Sequence, residues 1–597
     1  MDYTWDLSVL YRDFDDPKIE SDFAALKQKC AQLQAMCRQA AQQDPDPLST
    51  LEALCDGMED IHSWMEPLSS FASLTLATEA TNERAQQLMD RLEAFSVEIS
   101  LLSSGITRYI GGLPDLEAMI RQSDKLKKVD FYLRQNREEA AHLMDPAIEE
   151  WMLRMSITGS SAFSTLRDKL DATLLVDYRG KQLPLSAVRA MAYDPDPQVR
   201  KDAYEAELAA YTKIEIPMAA CLNGIKGEAL TMIDAQHFSS VLDQTLFYSN
   251  MDRETLDAML TAMDESLPAF RRYMRKKGQL LGHENGLPFY DLFAPLSPEG
   301  FTPRRYTIEE ARDKLLTEMG KFTPEMAAFI DGAFRDRWID VFPREGKGGG
   351  AFCAGLHTLD QSRVLTNFDG SFSDVSTLAH ELGHAWHNRC MASLPSVMTD
   401  APMPLAETAS IFNETVLAHA MLDSAPQQER FTILEGLLSD ANQTIVDIYS
   451  RYLFESAVID QRKDRTLPAK ELKALMLDAQ EKTYGDGLDP DCRHPYMWAC
   501  KSHYYIPGLA FYNFPYAFGQ LFSAGVYAIY RREGASFVPR YNQLLRSCGS
   551  MKVYDVARSV GIDVRDPDFW RASLRGYTEK VDEFIALADE LMPQSKS

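Results

Sequence analysis

Two histidines four residues apart with a glutamate between them, His380-Glu381-Leu382-Gly383-His384, have the types and spacing to hold a metal ion on one helix. Side chains at i and i+4 stack one turn apart, so both imidazoles can reach one ion, and zinc suits such a donor set. Assigning 100° per residue puts Val375, Leu378, Ala379, Leu382, Ala385 and Trp386 on one side, with His380, His384 and His387 opposite. The apolar side is expected to face a core and the imidazoles a cleft. Glu381 falls about 60° to 100° around from the ligand pair, placed to act as a general base on a water molecule.

A catalytic zinc site takes three protein ligands and leaves one position open. His387 lies seven residues, or about 10.5 Å, along the axis from His380 and reads better as a supporting residue than as a third ligand. The HExxHxxGxxH pattern fails, because His387 stands at its glycine and Cys390 at its last histidine. Glu407, 23 residues after His384 in the stretch PMPLAETASIFNE, is the expected third ligand, on a second helix that the prolines start. Glu414, two turns further on, is too distant for the same ion but can hydrogen-bond a ligand imidazole.

HELGHAWH followed by AETASIFNE resembles the oligoendopeptidase F branch of the thimet oligopeptidase superfamily. WDLSVLY near the start, GKGGGAFCAG, DVSTLAHELGH and HYYIPGLAFYNFPYAFGQLFS are also similar to that branch, so most of the chain is covered. The resemblance implies a mainly α fold, a two-lobed helical ellipsoid enclosing a deep substrate channel, with a small β-sheet near the zinc. It implies one zinc ion held by His380, His384 and Glu407, with Glu381 as general base, in an endopeptidase that cuts short oligopeptides. The family's His/Tyr loop matches His503, Tyr512 and Tyr516, which would bind substrate and stabilise the tetrahedral oxyanion. The spacing from His503 to Tyr512 is longer than in thimet-type members.

The elements that must position these residues are mostly helices. From Ser21 to about Leu170 apolar residues recur at three- and four-residue intervals. Residues 172–187 turn β-prone around Arg179-Gly180, which predicts a small hairpin. The YDPDP run ending at Pro197 is the candidate boundary, giving a helical region over 1–197 and a catalytic region over 198–597. Glycine and proline between Pro343 and Gly355 predict a loop, and the β-prone run Arg363 to Asp369 predicts a short strand just ahead of the motif helix. Gly348 to Gly350, with the residues up to Gly355, could let a peptide backbone approach closely, though a plain surface loop fits as well.

With 597 residues, a formal net charge of −26, 45% hydrophobic and 25% charged residues, the chain reads as a folded, multi-part globular protein. Such a negative balance argues against nucleic acid or an anionic membrane as partner. Nine cysteines without a CxxC pair, and a start (MDYTWDLSVLYRDFDD) lacking the basic and apolar parts of a signal peptide, point to reduced thiols in the cytoplasm. Tyr504 to Tyr530 carries no charge and is long enough to span a bilayer, but its prolines and six tyrosines suit a protein interior better. Two other readings compete: a carboxypeptidase, which would need a cation for the substrate's terminal carboxylate, and a non-enzymatic peptide binder with a structural zinc. Oligomeric state has no signal here.

Overall fold

Aspartate-proline pairs start helices throughout the chain. Asp16, Asp46, Asp145, Asp196 and Asp566 each accept a backbone N–H at the head of a helix whose next residue is proline. The carboxylate satisfies an otherwise unpaired amide, and proline has no N–H to satisfy. The computed structural model describes residues 3–592 and is mainly α-helical, with a two-stranded and a three-stranded sheet.

The chain forms two compact units that interleave in sequence. The first comprises Met1–Leu143, Arg304–Ala418 and Ile529–Val560; the second comprises Met144–Pro303, His419–Ala528 and Gly561–Ser597. The run ending at Pro197 lies inside the second unit, where Asp196 caps the helix Pro197–Tyr211. The division at 197 follows chain order, whereas the units follow packing.

In the first unit the helices Pro17–Gln42, Pro47–Thr78 and Glu83–Gly112 pack together. Their core, including Phe23, Leu26, Leu51, Phe71 and Ile106, also takes in Leu356 and Leu365 from the three-stranded sheet. Gln361–Leu365 is the middle strand, parallel to Ile339–Asp340 and antiparallel to Phe352–Leu356, with Cys353 opposite Val364. The loop expected from Pro343 to Gly355 therefore ends earlier, because pairing with the middle strand extends the chain from Phe352 onward. The middle strand itself starts at Gln361 and stops at Leu365, ahead of the expected Asp369. Asp340, fully buried, receives Lys347 at 2.7 Å and Arg344 at 2.5 Å, which ties down the start of the glycine-rich segment.

The second unit holds the predicted hairpin. Leu175–Tyr178 pairs with Lys181–Pro184 across Arg179 (φ 50°) and Gly180 (φ 78°), a turn with both central residues left-handed. Its core gathers Tyr211, Met218, Leu222, Phe454, Trp498, Tyr504 and Tyr505. The uncharged run starting at Tyr504 is broken into a short 3-10 turn, a loop and the helix Phe514–Glu533. Among the described residues no helix is long and apolar enough to cross a membrane.

Candidate metal centre

The motif sits on the helix Phe372–Met391, and its start is firmly fixed. Ser371 and Asp374 form a reciprocal capping box, and Asp374 also accepts the backbone N–H groups of Asp369 and Gly370. Gly370 has φ 98°, and a Cβ there would lie 2.8 Å from the Tyr306 carbonyl oxygen. Val375, Leu378, Ala379, Leu382 and Ala385 are buried, as the apolar stripe requires, and the helix packs on the strands Phe352–Leu356 and Gln361–Leu365.

Gly383 sets the next helix in place. A Cβ at this position would fall 2.6 Å from both the Ala409 carbonyl oxygen and Ser410 Cα. Only hydrogen there allows the helix Thr408–Ser424 to approach so closely, and Asn413 Nδ2 donates to the Ala379 carbonyl at 3.2 Å across the contact. Glu407 is placed at the joint between the short helix Met403–Ala406 and Thr408–Ser424, rather than within a helix. Its carboxylate accepts the Ser410 hydroxyl at 2.7 Å.

Three donor atoms converge. His380 Nε2 and His384 Nε2 are 3.2 Å apart, and each lies 3.3 Å from Glu407 Oε2. Bonds of about 2.0 Å to a tetrahedral zinc would separate its ligands by about 3.3 Å, so the triangle fits three corners of such a site. His380 Nδ1 meets Glu414 Oε1. With Nδ1 held as a donor by Glu414, loss of the Nε2 proton would expose a lone pair facing the other donors, the tautomer a metal ligand needs.

The electrostatics point the same way. Burial opposes a charged His380, but the hydrogen bonds and charges of Glu407 and Glu414 outweigh it and push its pKa up to about 10. Burial would raise Glu407 too, yet the two imidazoles hold it well below the usual carboxylate range. Without a metal this cluster retains protons; a divalent cation satisfies the same carboxylates. Glu381 is buried, and that burial raises its pKa against the pull of His380 and His384. Among the described residues no hydrogen bond ties its carboxylate.

His387 departs from the expected cleft face. It is 3% exposed, with Nε2 3.2 Å from the Leu545 carbonyl, and burial, then His384, hold its pKa down at about 4. The helix Val538–Ser547 covers that side of the motif helix, a tertiary contact that a helical wheel does not contain. Ser410, fully buried beside Glu407, was not singled out from sequence. Its position three residues after a carboxylate at a helix start was the available signal.

His503, Tyr512 and Tyr516 belong to the second unit and form one group there. The His503 and Tyr512 rings stack at 4.8 Å, and the Tyr516 hydroxyl donates to that of Tyr512 at 3.3 Å. Burial, and after it the positive Arg451 and Lys501, lowers the pKa of the His503 imidazole from its ordinary value. Tyr512 is half-buried and Tyr516 38% exposed, so neither is a plain core ring.

Comparison with known proteins gives a consistent result. The family described as Peptidase family M3 matches residues 190–576, and the one described as Oligopeptidase F matches residues 114–175. Group B oligopeptidase PepB of Streptococcus agalactiae is 24% identical over 97% of this chain and 96% of its own. An oligoendopeptidase F homolog of Lactococcus lactis is also 24% identical, over 98% and 97%. A crystal structure from Chlamydophila abortus superposes with a TM-score of 0.82 at 22% identity, covering 98% of each chain. Oligoendopeptidase-F from Enterococcus faecium gives 0.69 at 19%, covering 95% of this chain and all of that one.

Proposed function

The chain belongs to peptidase family M3, and from that premise we propose that it is a zinc-dependent endopeptidase cutting internal bonds of short oligopeptides. The observation that carries the zinc assignment is the triangle of His380 Nε2, His384 Nε2 and Glu407 Oε2, with edges of 3.2 to 3.3 Å. Its relatives' names, oligopeptidase and oligoendopeptidase, support the substrate class and the internal cut.

When bound, zinc would polarise the scissile carbonyl and lower the pKa of a water toward about 7. The residues supply the rest. Glu381, whose carboxylate has no hydrogen bond among the described residues and whose pKa burial raises, accepts the proton of the attacking water and passes it to the leaving amine. Glu414 fixes the His380 ring through Nδ1, and Ser410 fixes Glu407. To His503, Tyr512 and Tyr516 we assign substrate binding and donation to the developing oxyanion; three neighbouring donors, each of them partly accessible, support that role. Nine free cysteines support the reducing cytoplasm as compartment.

The test is an internally quenched peptide blocked at both ends. Wild-type protein should cleave it, chelator should stop cleavage, and Glu381→Gln should keep zinc while losing about 10²- to 10⁴-fold in kcat. Cleavage confined to peptides with a free C-terminus would replace the endopeptidase reading by a carboxypeptidase one.

A further inference from the structure

The second unit contains a cavity of about 340 Å³, within the range that small ligands occupy. Aromatic rings form much of its wall. Tyr204 and Tyr290 lie 5.6 Å apart between centroids, and Phe289 lies 5.0 Å from the His494 ring. Such faces accept a flat apolar body.

The charged groups around it differ in how far they are already satisfied. Arg200 is fully committed: Nε is 2.6 Å from Asp291, and Nη1 donates to the Asp194 and Pro195 carbonyls. Arg189 Nε is 3.2 Å from Glu207 Oε1. That carboxylate, His494 and Cys500 place ligating atoms within 4.8 Å of one another, which raises the question of a second metal. The hydrogen bonds argue otherwise. Tyr496 N–H donates to His494 Nδ1 at 3.3 Å, so the ring proton sits on Nε2, 3.5 Å from Glu207. The Cys500 thiol donates to the same oxygen at 3.6 Å, and burial pushes its pKa up to about 12. Glu207 balances the charge of Arg189, and with His494 and Cys500 donating to the same carboxylate no ligand set is left for a cation.

Lys501 is the surplus. It is half-buried, and among the described residues its ammonium has no hydrogen bond and no carboxylate within 4.0 Å. The nearby Asp447 already holds Arg451 and accepts the Tyr484 hydroxyl at 3.1 Å. An unpaired cation in a partly desolvated, aromatic-walled cavity calls for an anion.

We propose that this cavity binds a small aromatic carboxylate, its anionic group on Lys501 beside Arg189 and its ring against Tyr204, Phe289 and Tyr290. A free aromatic acid and the C-terminal residue of a peptide share that chemistry. The site lies wholly within the second unit and is separate from His380, His384 and Glu407, which lie in the first.

Calorimetric titration of the full-length, chelator-treated protein tests this independently of peptidase activity. Hydrocinnamate should bind at one saturable site, and hydrocinnamyl alcohol, its neutral analogue, about tenfold or more weakly. Lys501→Met should weaken hydrocinnamate about tenfold or more and change the alcohol less than about twofold. Ala203→Leu, filling the cavity from its wall, should abolish both, and decides the matter if Lys501→Met does not fold. A tripeptide ending in phenylalanine that binds tighter than hydrocinnamate identifies the peptide terminus as ligand, and weaker binding identifies the free acid; either supports the site. No saturation by roughly 10 mM, unchanged affinity in both variants, or a loss in Glu407→Gln equal to that in Lys501→Met would overturn it.

Discussion

The contact between His380 Nδ1 and Glu414 makes Glu414 a positioning residue for the proposed zinc. Glu414→Gln keeps the shape but offers an amide where a carboxylate held the ring proton. Zinc affinity, measured by competition with a chromogenic chelator, should fall about 10- to 100-fold, and kcat at saturating zinc should change less. Unaltered affinity would reduce Glu414 to a solvated carboxylate. At this scale helical spacing brings His380 and His384 together, since i and i+4 stack one turn apart, whereas the expectation of a helical Glu407 did not anticipate the joint between two helices on which it stands. Spacing also misplaced His387, whose environment comes from Leu545, 158 residues away in sequence.

Between elements, the decisive contact is backbone against backbone at Gly383. Gly383→Ala should force the helix Thr408–Ser424 outward, destabilise the protein by about 1–3 kcal/mol and move Glu407 off its corner of the triangle. Zinc affinity should therefore drop even though no ligand is changed, and a full-affinity variant would show that the contact relaxes elsewhere. A second element-level prediction concerns Asp340. Burial alone would raise its pKa, but hydrogen bonds from Arg344 and Lys347 hold it below the usual carboxylate range. A depressed pKa stabilises the fold above the ordinary carboxylate value of about 3.9 and loses that effect as pH falls through the lower folded value. Asp340→Asn should cost about 3–5 kcal/mol at neutral pH, since Lys347 is left buried without its partner. Thermal melts of the metal-free protein should show the gap to wild type closing in acid; a gap constant with pH would remove the ion pair as its cause. The hairpin at Arg179-Gly180 was legible from its turn residues. The start of Phe352–Leu356 was not, because glycine content marks flexibility and pairing with Gln361–Leu365 is decided by tertiary contact.

For the molecule as a whole, the three proposed zinc ligands all belong to the first unit. Zinc bound at a thousandfold excess over its Kd would stabilise that unit by about 4 kcal/mol. Scanning calorimetry with and without chelator should show the first unit's transition moving down, and an unmoved profile would contradict zinc binding there. Helical content and the net charge of −26 could be read from composition and periodicity. The interleaving could not: periodicity is local, and nothing in residues 1–143 states that they share a core with Leu356 and Leu365.

That interleaving also sets a timetable for synthesis. The first unit is completed only when Ile529–Val560 arrives, bringing Leu545 to cover His387. At 5–20 residues per second, the ribosome needs roughly 7–28 s between residues 418 and 560. For most of that interval, until Val538–Ser547 is made, every proposed zinc ligand has been made while the covering helix has not. Nascent chains would thus carry exposed imidazoles, open to the wrong metal and to chaperones, until the helix Val538–Ser547 has been made.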